Sequence, residues 1–277
     1  MNTTISTIAC VALLGGCSSG DAPARSRATP SSERRPQPSA RAEVEAPNDE
    51  ATDPDEEIPM EERYSRARAL LVAQLRAQGI TSEQVLEAIR SVNRHDMVPD
   101  ALEPYAYENR PLPIGYEQTI SQPYIVGLMT QLADIQPGDD VLEIGTGSGY
   151  QAAVLAETGA NVHSIEIVEP LARRTRALLD EMGYDQIETR IGDGYAGWPD
   201  EAPFDAIVIT AAPPAIPEPL KEQLAIGGKL VVPVGDRHQE LVVLTRTEDG
   251  FERERSVPVR FVPMTGEAQQ QTRAEAR

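Results

Sequence analysis

The segment Val141-Leu142-Glu143-Ile144-Gly145-Thr146-Gly147-Ser148-Gly149 constrains this 277-residue chain more than any other. A short apolar run with strand character passes directly into three alternating glycines, and a helical pattern begins at Tyr150. Without a Cβ, glycine lets the chain turn sharply and bring backbone N–H groups close to a ligand at the start of a helix. Such a junction belongs to a chain that alternates strands with helices, and the alternation continues downstream. Strands are expected at 141–144, 161–167, 189–191, 205–210 and 229–234, with helices at 150–157, 168–182 and 217–225 between them. Two further strands, 240–246 and 256–262, have no helix between them and are expected as an antiparallel pair at one edge. The pattern predicts an α/β fold: a doubly wound, mostly parallel, Rossmann-like sheet with helices on both faces. In such sheets ligands bind beyond the carboxyl ends of the strands, where the winding direction reverses.

N-terminal helices precede this region. Residues 61–78 place Ala67, Leu70, Leu71, Leu75 and Ala77 near one face of an amphipathic helix ended by Gly79. Thr81, with Gln84 three residues on, has capping-box spacing for a second helix to about Val92. Residues 100–121 are rich in Pro and Gly and read as ordered loop or short strands. A helix from Pro123 to Ala133 follows, with Ser121 or Gln122 near its N-cap.

The first 60 residues have a different character. Residues 1–17 carry no charge and contain the apolar run Ile8 to Leu14, so they read as an export signal rather than part of the fold. Leu14-Gly15-Gly16-Cys17 resembles a bacterial lipobox, which makes Cys17 the expected lipidation site, although no Lys or Arg precedes the apolar run. Residues 18–60 read as a disordered, acidic, Pro/Ser-rich tether: from 18 to 62 there are 12 acidic and 5 basic side chains and almost no large apolar ones. The folded α/β domain is expected at 61–277. Met60 offers a competing start for a cytosolic protein. Compartment therefore divides between the cytoplasm and a lipid-anchored, periplasmic-side location.

Composition excludes several classes. The formal charge of −19 lacks the basic face that a nucleic-acid-coating protein needs. Both cysteines, Cys10 and Cys17, are N-terminal, so neither a disulfide scaffold nor a Cys-ligated metal site is expected in the folded part. His95, His163 and His238 share no metal-ligand spacing, and no metal is expected. Trp198 reads as a packing residue. The acidic run near 50–57 lacks the glycine and spacing of a calcium loop.

Three strand ends carry the chemistry. The glycines are spaced G-x-G-x-G rather than the G-x-G-x-x-G of a dinucleotide site, and Glu143 beside them suits a cationic or amino-bearing ligand better than a phosphate. Glu166, at the end of the second strand, is placed to accept hydrogen bonds from ribose hydroxyls. Gly192-Asp193-Gly194, at the end of the third, is placed for an adenine edge. Together they describe a pocket for adenosine without phosphate, which S-adenosyl-L-methionine fits, with Gly145, Gly147, Asp193 and Gly194 among its contacts.

Leu112-Pro113-Ile114-Gly115, Gln118-Thr119-Ile120-Ser121-Gln122-Pro123-Tyr124 and the 141–150 run resemble the protein-L-isoaspartate O-methyltransferase family. Gly192-Asp193-Gly194, Ala202 to Ile207, Gly227-Gly228-Lys229-Leu230 and Val259 to Pro263 extend the likeness over about 61–266. The resemblance implies methylation of the free α-carboxyl of L-isoaspartyl residues in damaged proteins and peptides, by a monomer. It implies Ser121 at the active-site position, hydrogen-bonding substrate or cofactor, with Gln122, Thr265 and Gln270 near the cofactor. It further implies that Ile120 and Val262 clamp the substrate peptide. Relatives often carry Asp before Leu-Pro-Ile-Gly; here Glu108 is the expected carboxylate, and Tyr116-Glu117 replaces a smaller pair. Because a substrate carboxylate is ionised at neutral pH, no strong general base is required. Two other functions use the same residues: a small-molecule O-methyltransferase, and a lipid-anchored binding protein with a vestigial pocket.

Overall fold

The computed structural model describes residues 58–267. The expected signal segment, nearly all of the tether, Cys17 and Gln270 lie outside them. The expected strand–helix alternation is present, with these elements: α1 (Met60–Ala77), α2 (Glu83–Ser91), β1 (Leu112–Gly115), β2 (Gln118–Ile120), α3 (Pro123–Ala133), β3 (Asp140–Ile144), α4 (Tyr150–Glu157), β4 (Asn161–Glu166), α5 (Glu169–Glu181), β5 (Glu188–Ile191), β6 (Phe204–Ile209), α6 (Glu218–Glu222), β7 (Leu224–Val234), β8 (Gln239–Thr247) and β9 (Gly250–Val259). Short 3-10 helices fill Arg94–Met97, Asp100–Tyr105 and Gly194–Ala196.

The large sheet runs β5-β4-β3-β6-β7-β8-β9. Its first five strands are parallel, and β8 and β9 are antiparallel to their neighbours. The chain winds outward from β3 through β4 to β5, then returns to the other side of β3 as β6. The winding reversal therefore lies between β3 and β6.

Side-chain alternation sorts the strands between two cores. On β6 Ala206 and Val208 face one core while Ile207 and Ile209 face the other, and on β8 Leu241 and Val243 oppose Val242 and Leu244. The first core is covered by α1 to α5. The second is covered thinly, by the single turn of α6 through Leu220 and by the loop carrying Tyr195 and Trp198. The edge strand β9 is exposed through Phe251, Glu252, Arg253, Glu254, Arg255 and Ser256.

Local departures have local causes. The buried stripe of α1 is Leu71, Val72 and Leu75, while the expected Leu70 is 73 % exposed, because the stripe follows the face packed on α2. Ser82, not Thr81, caps α2: its hydroxyl accepts from Val85 N–H, while the Thr81 backbone N–H is donated to Gln131 Oε1 at 2.7 Å. Gly227 and Gly228 fall inside β7, which starts at Leu224 rather than 229.

The β1–β2 hairpin occupies the Pro/Gly-rich stretch and pairs Leu112 with Ile120. Leu112, Ile114 and Ile120 are buried against the first core, worth roughly 1.5–3 kcal/mol each, and fix the hairpin over the sheet. Its turn holds Tyr116 (φ 52°) and Glu117 (φ 59°) in the left-handed region, a conformation that two non-glycine residues adopt only when their surroundings impose it.

Candidate active site

At the carboxyl ends of β3, β4 and β6 lies a cavity whose floor comes from Glu143 to Ser148, Ile165 to Val168, Gly194 and Thr210. Its roof comes from Gln118 to Ser121 on the hairpin and Val262 to Thr265 on the segment after β9. That segment is held beside β6 because Ala212 N–H donates to Val262 O at 2.8 Å and Met264 N–H donates to Ala212 O at 2.8 Å.

The glycines are there for close approach. At Gly145 (φ 101°) a Cβ would stand 2.4 Å from Thr210 Oγ1, and at Gly194 one would stand 2.3 Å from Ile144 Cγ2. Neither gap admits a methyl group. Thr210 uses the first gap to donate to Gly145 O at 2.7 Å, which ties the glycine loop to the end of β6. The Glu166 carboxylate accepts from Gly147 N–H through Oε2 and from Val168 N–H through Oε1, both at 2.9 Å. Each bond to a charged acceptor contributes about 1.5–3 kcal/mol, so Glu166 fixes the loop as well as bordering the cavity. Two bonds leave lone pairs on both oxygens for further donors.

Glu143 is fully buried, on the last turn of strand before the glycines. Its Oε2 accepts from Ser164 Oγ, which also bonds Thr146 Oγ1, while Oε1 has no partner. Burial, reinforced by the neighbouring Glu166 charge, pushes the Glu143 carboxyl up to about 8. An orphaned, buried carboxylate oxygen attracts a cationic donor. On Gln151, also at the cavity wall, Nε2 donates to Thr130 Oγ1 and Oε1 has no partner. The donor set and the two tight glycines fit an amino-bearing nucleoside sulfonium better than a phosphate ligand.

The comparisons with known proteins agree with this chemistry. The family model for protein-L-isoaspartate (D-aspartate) O-methyltransferase matches residues 66–269. The chain belongs to this family. The protein-L-isoaspartate O-methyltransferase of Gloeobacter violaceus is 56 % identical over 200 residues, 72 % of this chain and 98 % of that one. The protein-L-isoaspartate O-methyltransferase of a Synechococcus strain is 48 % identical over 234 residues, 82 % of this chain and 95 % of that one. A solved protein-L-isoaspartate O-methyltransferase superposes with a TM-score of 0.68 at 26 % identity, covering 75 % of this chain and 69 % of its own. The Plasmodium falciparum structure in complex with S-adenosyl-L-homocysteine superposes at 0.64 with 24 % identity, covering 72 % and 98 %, a likeness of fold.

Within this methyltransferase the expected residues divide. Ser121, Ile120, Glu143, Gly145, Gly147, Glu166, Gly194, Val262 and Thr265 all line the one cavity. Three others do not. Glu108 is exposed and ion-paired with Arg110, because the backbone turn at 108–110 presents Asn109 to α3 instead, where Asn109 Oδ1 accepts from Tyr124 N–H at 2.9 Å. Gln122 donates its side-chain N–H to Asn109 O at 3.0 Å. Asp193 lies beside the cavity, its Oδ1 accepting from Tyr195 N–H at 3.0 Å and its Oδ2 from Glu267 N–H at 2.7 Å. It buckles the end of β5 to the C-terminal segment, so its backbone neighbour Gly194 is the group that faces the cavity.

Sequence reasoning missed Thr146, Gln151, Ser164 and Thr210. A signal existed for Thr210, which follows the fourth parallel strand as Glu166 ends the second. None existed for Ser164: its contact with Glu143 follows from the β3–β4 register that pairs those two residues.

Proposed function

We infer that this chain is a repair enzyme that transfers a methyl group from S-adenosyl-L-methionine to the free α-carboxyl of L-isoaspartyl residues in damaged proteins and peptides. One observation carries the reading at residue level: a single cavity bounded below by Glu143, Gly145, Gly147, Glu166 and Gly194 and above by Ile120, Ser121, Val262 and Thr265.

When bound, the cofactor supplies an electrophilic methyl group on a cationic sulfur. The orphaned Glu143 Oε1 is the partner for its ammonium group, and the free lone pairs of Glu166 are the partners for its ribose hydroxyls. Gly145, Gly147 and Gly194 let the nucleoside reach the strand ends, with Asp193 and Gln122 bracing the walls and Thr265 closing the roof. The Ser121 hydroxyl, half-buried and without a side-chain hydrogen bond among the described residues, orients the substrate carboxylate. Ile120 and Val262 grip the peptide on either side. No residue has to remove a proton, since the nucleophile arrives ionised; alignment and exclusion of water are what the chain contributes.

Methyl incorporation from labelled cofactor into an isoaspartyl peptide, with none into the matching aspartyl peptide, is the expected result. Equal labelling of both, or labelling of small carboxylic acids alone, overturns it. We also propose lipidation at Cys17, supported by Leu14-Gly15-Gly16-Cys17, an acidic tether at 18–60 and a catalytic domain at 61–277. Among the described residues no helix is long and apolar enough to cross a membrane. Mass spectrometry of the native N-terminus tests it: a lipidated Cys17 supports it, and a start at Met1 or Met60 overturns it.

A further inference from the structure

On the thinly covered face of the sheet, His163 of β4 and Glu188 of β5 are register partners, so both side chains leave the same face. Glu201, on the loop returning from β5, reaches the same point. His163 Nε2 lies 3.8 Å from Glu188 Oε2 and 3.7 Å from Glu201 Oε2, and the three atoms fall within 4.8 Å of one another. These distances exceed hydrogen-bond range.

The imidazole is what separates this cluster from ordinary surface acids. Its side chain is nine-tenths buried, yet neither ring nitrogen has a hydrogen bond: Nδ1 is sealed in without a partner, and Nε2 is aimed at the two carboxylates. Trp198 (centroids 5.4 Å apart, planes at 78°) and Phe204 (5.7 Å, 62°) hold the ring edge-on and fix its direction. Among the described residues no lysine or arginine pairs with Glu188 or Glu201, so two carboxylates converge on a buried imidazole with no lysine or arginine between them.

We propose that His163, Glu188 and Glu201 form a binding site for a divalent transition-metal ion of the zinc class. Imidazole nitrogen and carboxylate oxygen are both ligands of such ions, with bonds of about 2.0–2.2 Å. Those bonds put neighbouring ligand atoms roughly 3–3.5 Å apart, so each carboxylate needs to close on the imidazole by a few tenths of an ångström and the two carboxylates on each other by up to about 1.5 Å. Glu188 and Glu201 supply that movement because their side chains are 64 % and 43 % exposed, while the ring stays where the aromatics hold it. The ion would join β4, β5 and the 192–203 loop, whose first turn carries Gly194. It lies on β4 three residues before Glu166, and none of its three residues lines the cavity, so its role is to brace the scaffold under the cavity, with no part in methyl transfer.

The test titrates the full-length protein with Zn(II) and Co(II), by calorimetry and visible absorption, against the double variant E188Q/E201Q. Both changes are at exposed side chains outside the cavity, so folding and basal methyl transfer should persist. Expected are one equivalent bound by the wild type, cobalt d–d bands without a thiolate charge-transfer band, a higher melting temperature with metal, and affinity more than about 100-fold weaker in the variant. Equal binding by wild type and variant, or a thiolate band pointing to Cys10 or Cys17, overturns the proposal. So does a preference for Mg(II), or the absence of saturable binding to about millimolar metal. A melt that responds to pH but not to metal would assign the trio to a proton on His163 instead, and that also overturns it.

Discussion

The two walls of the cavity are built on opposite principles. On the floor nearly every polar group is committed: Thr210 to Ile144 O and Gly145 O, Glu166 to Gly147 and Val168, Thr175 to Gly147 O, and Ser164 to Glu143 and Thr146. On the roof the side chains of Thr119, Ser121 and Thr265 have no hydrogen-bond partner among the described residues. The floor is braced before any ligand arrives, with Glu143 Oε1 and Gln151 Oε1 left unpartnered, whereas the roof leaves whole polar side chains unpartnered. Substitutions on the floor should therefore cost stability and cofactor binding together, whereas those on the roof should cost turnover alone.

The largest effect is expected at Gly145→Ala. A methyl group at positive φ, driven into Thr210, should destabilise the fold by on the order of 3 kcal/mol and abolish cofactor binding, read by thermal melting and calorimetry. A stable, active G145A protein would break the idea of a preformed floor. Ser121→Ala should behave oppositely: kcat on an isoaspartyl peptide falls roughly 100-fold, by analogy with loss of one positioned donor, with the melting temperature unchanged. A drop in melting temperature of the size caused by floor variants would place Ser121 among the structural groups.

Glu166→Gln, which keeps one acceptor but turns an N–H toward a backbone donor, should cost about 1–3 kcal/mol of stability and raise the KM for cofactor more than it lowers kcat. The smallest effect concerns pH. Glu143, raised to about 8 by burial, holds its proton at neutrality, and the ligand's ammonium favours the ionised form. Binding should thus release a proton, and affinity for S-adenosyl-L-homocysteine should rise by up to about tenfold per unit as pH approaches 8, then level off. The same burial makes stability without ligand fall as pH rises through this window. Titration of E143Q in buffers of different ionisation heat should show neither effect.

Much of this was legible in the sequence, because periodicity and glycine spacing are local signals. The five parallel strands, the antiparallel edge pair and Glu143, Gly145, Gly147, Glu166 and Gly194 follow from runs of fewer than ten residues each, while Ile120, Ser121, Val262 and Thr265 were implied by the family resemblance. What was not legible depends on partners distant along the chain. Thr81 has better capping-box spacing than Ser82, yet Gln131, fifty residues on, claims its backbone N–H. Asp193 reads as a ligand contact until the C-terminal segment folds back and places Glu267 N–H on it. Glu108 reads as a substrate carboxylate, but the turn at 108–110 sends Asn109 inward. His163 shares no ligand spacing with other residues because its companions arrive through strand register and a returning loop.

The exposed border strand β9 has one more consequence. Along Glu252-Arg253-Glu254-Arg255 the charge reverses at every step, and Pro258 removes a backbone donor. An incoming extended chain would have to match that sequence of signs and forgo a ladder bond, so growth of the sheet by addition of foreign strands is disfavoured. A catalyst whose clients are aged and partly opened polypeptides thereby meets them at its mouth and not along its margin.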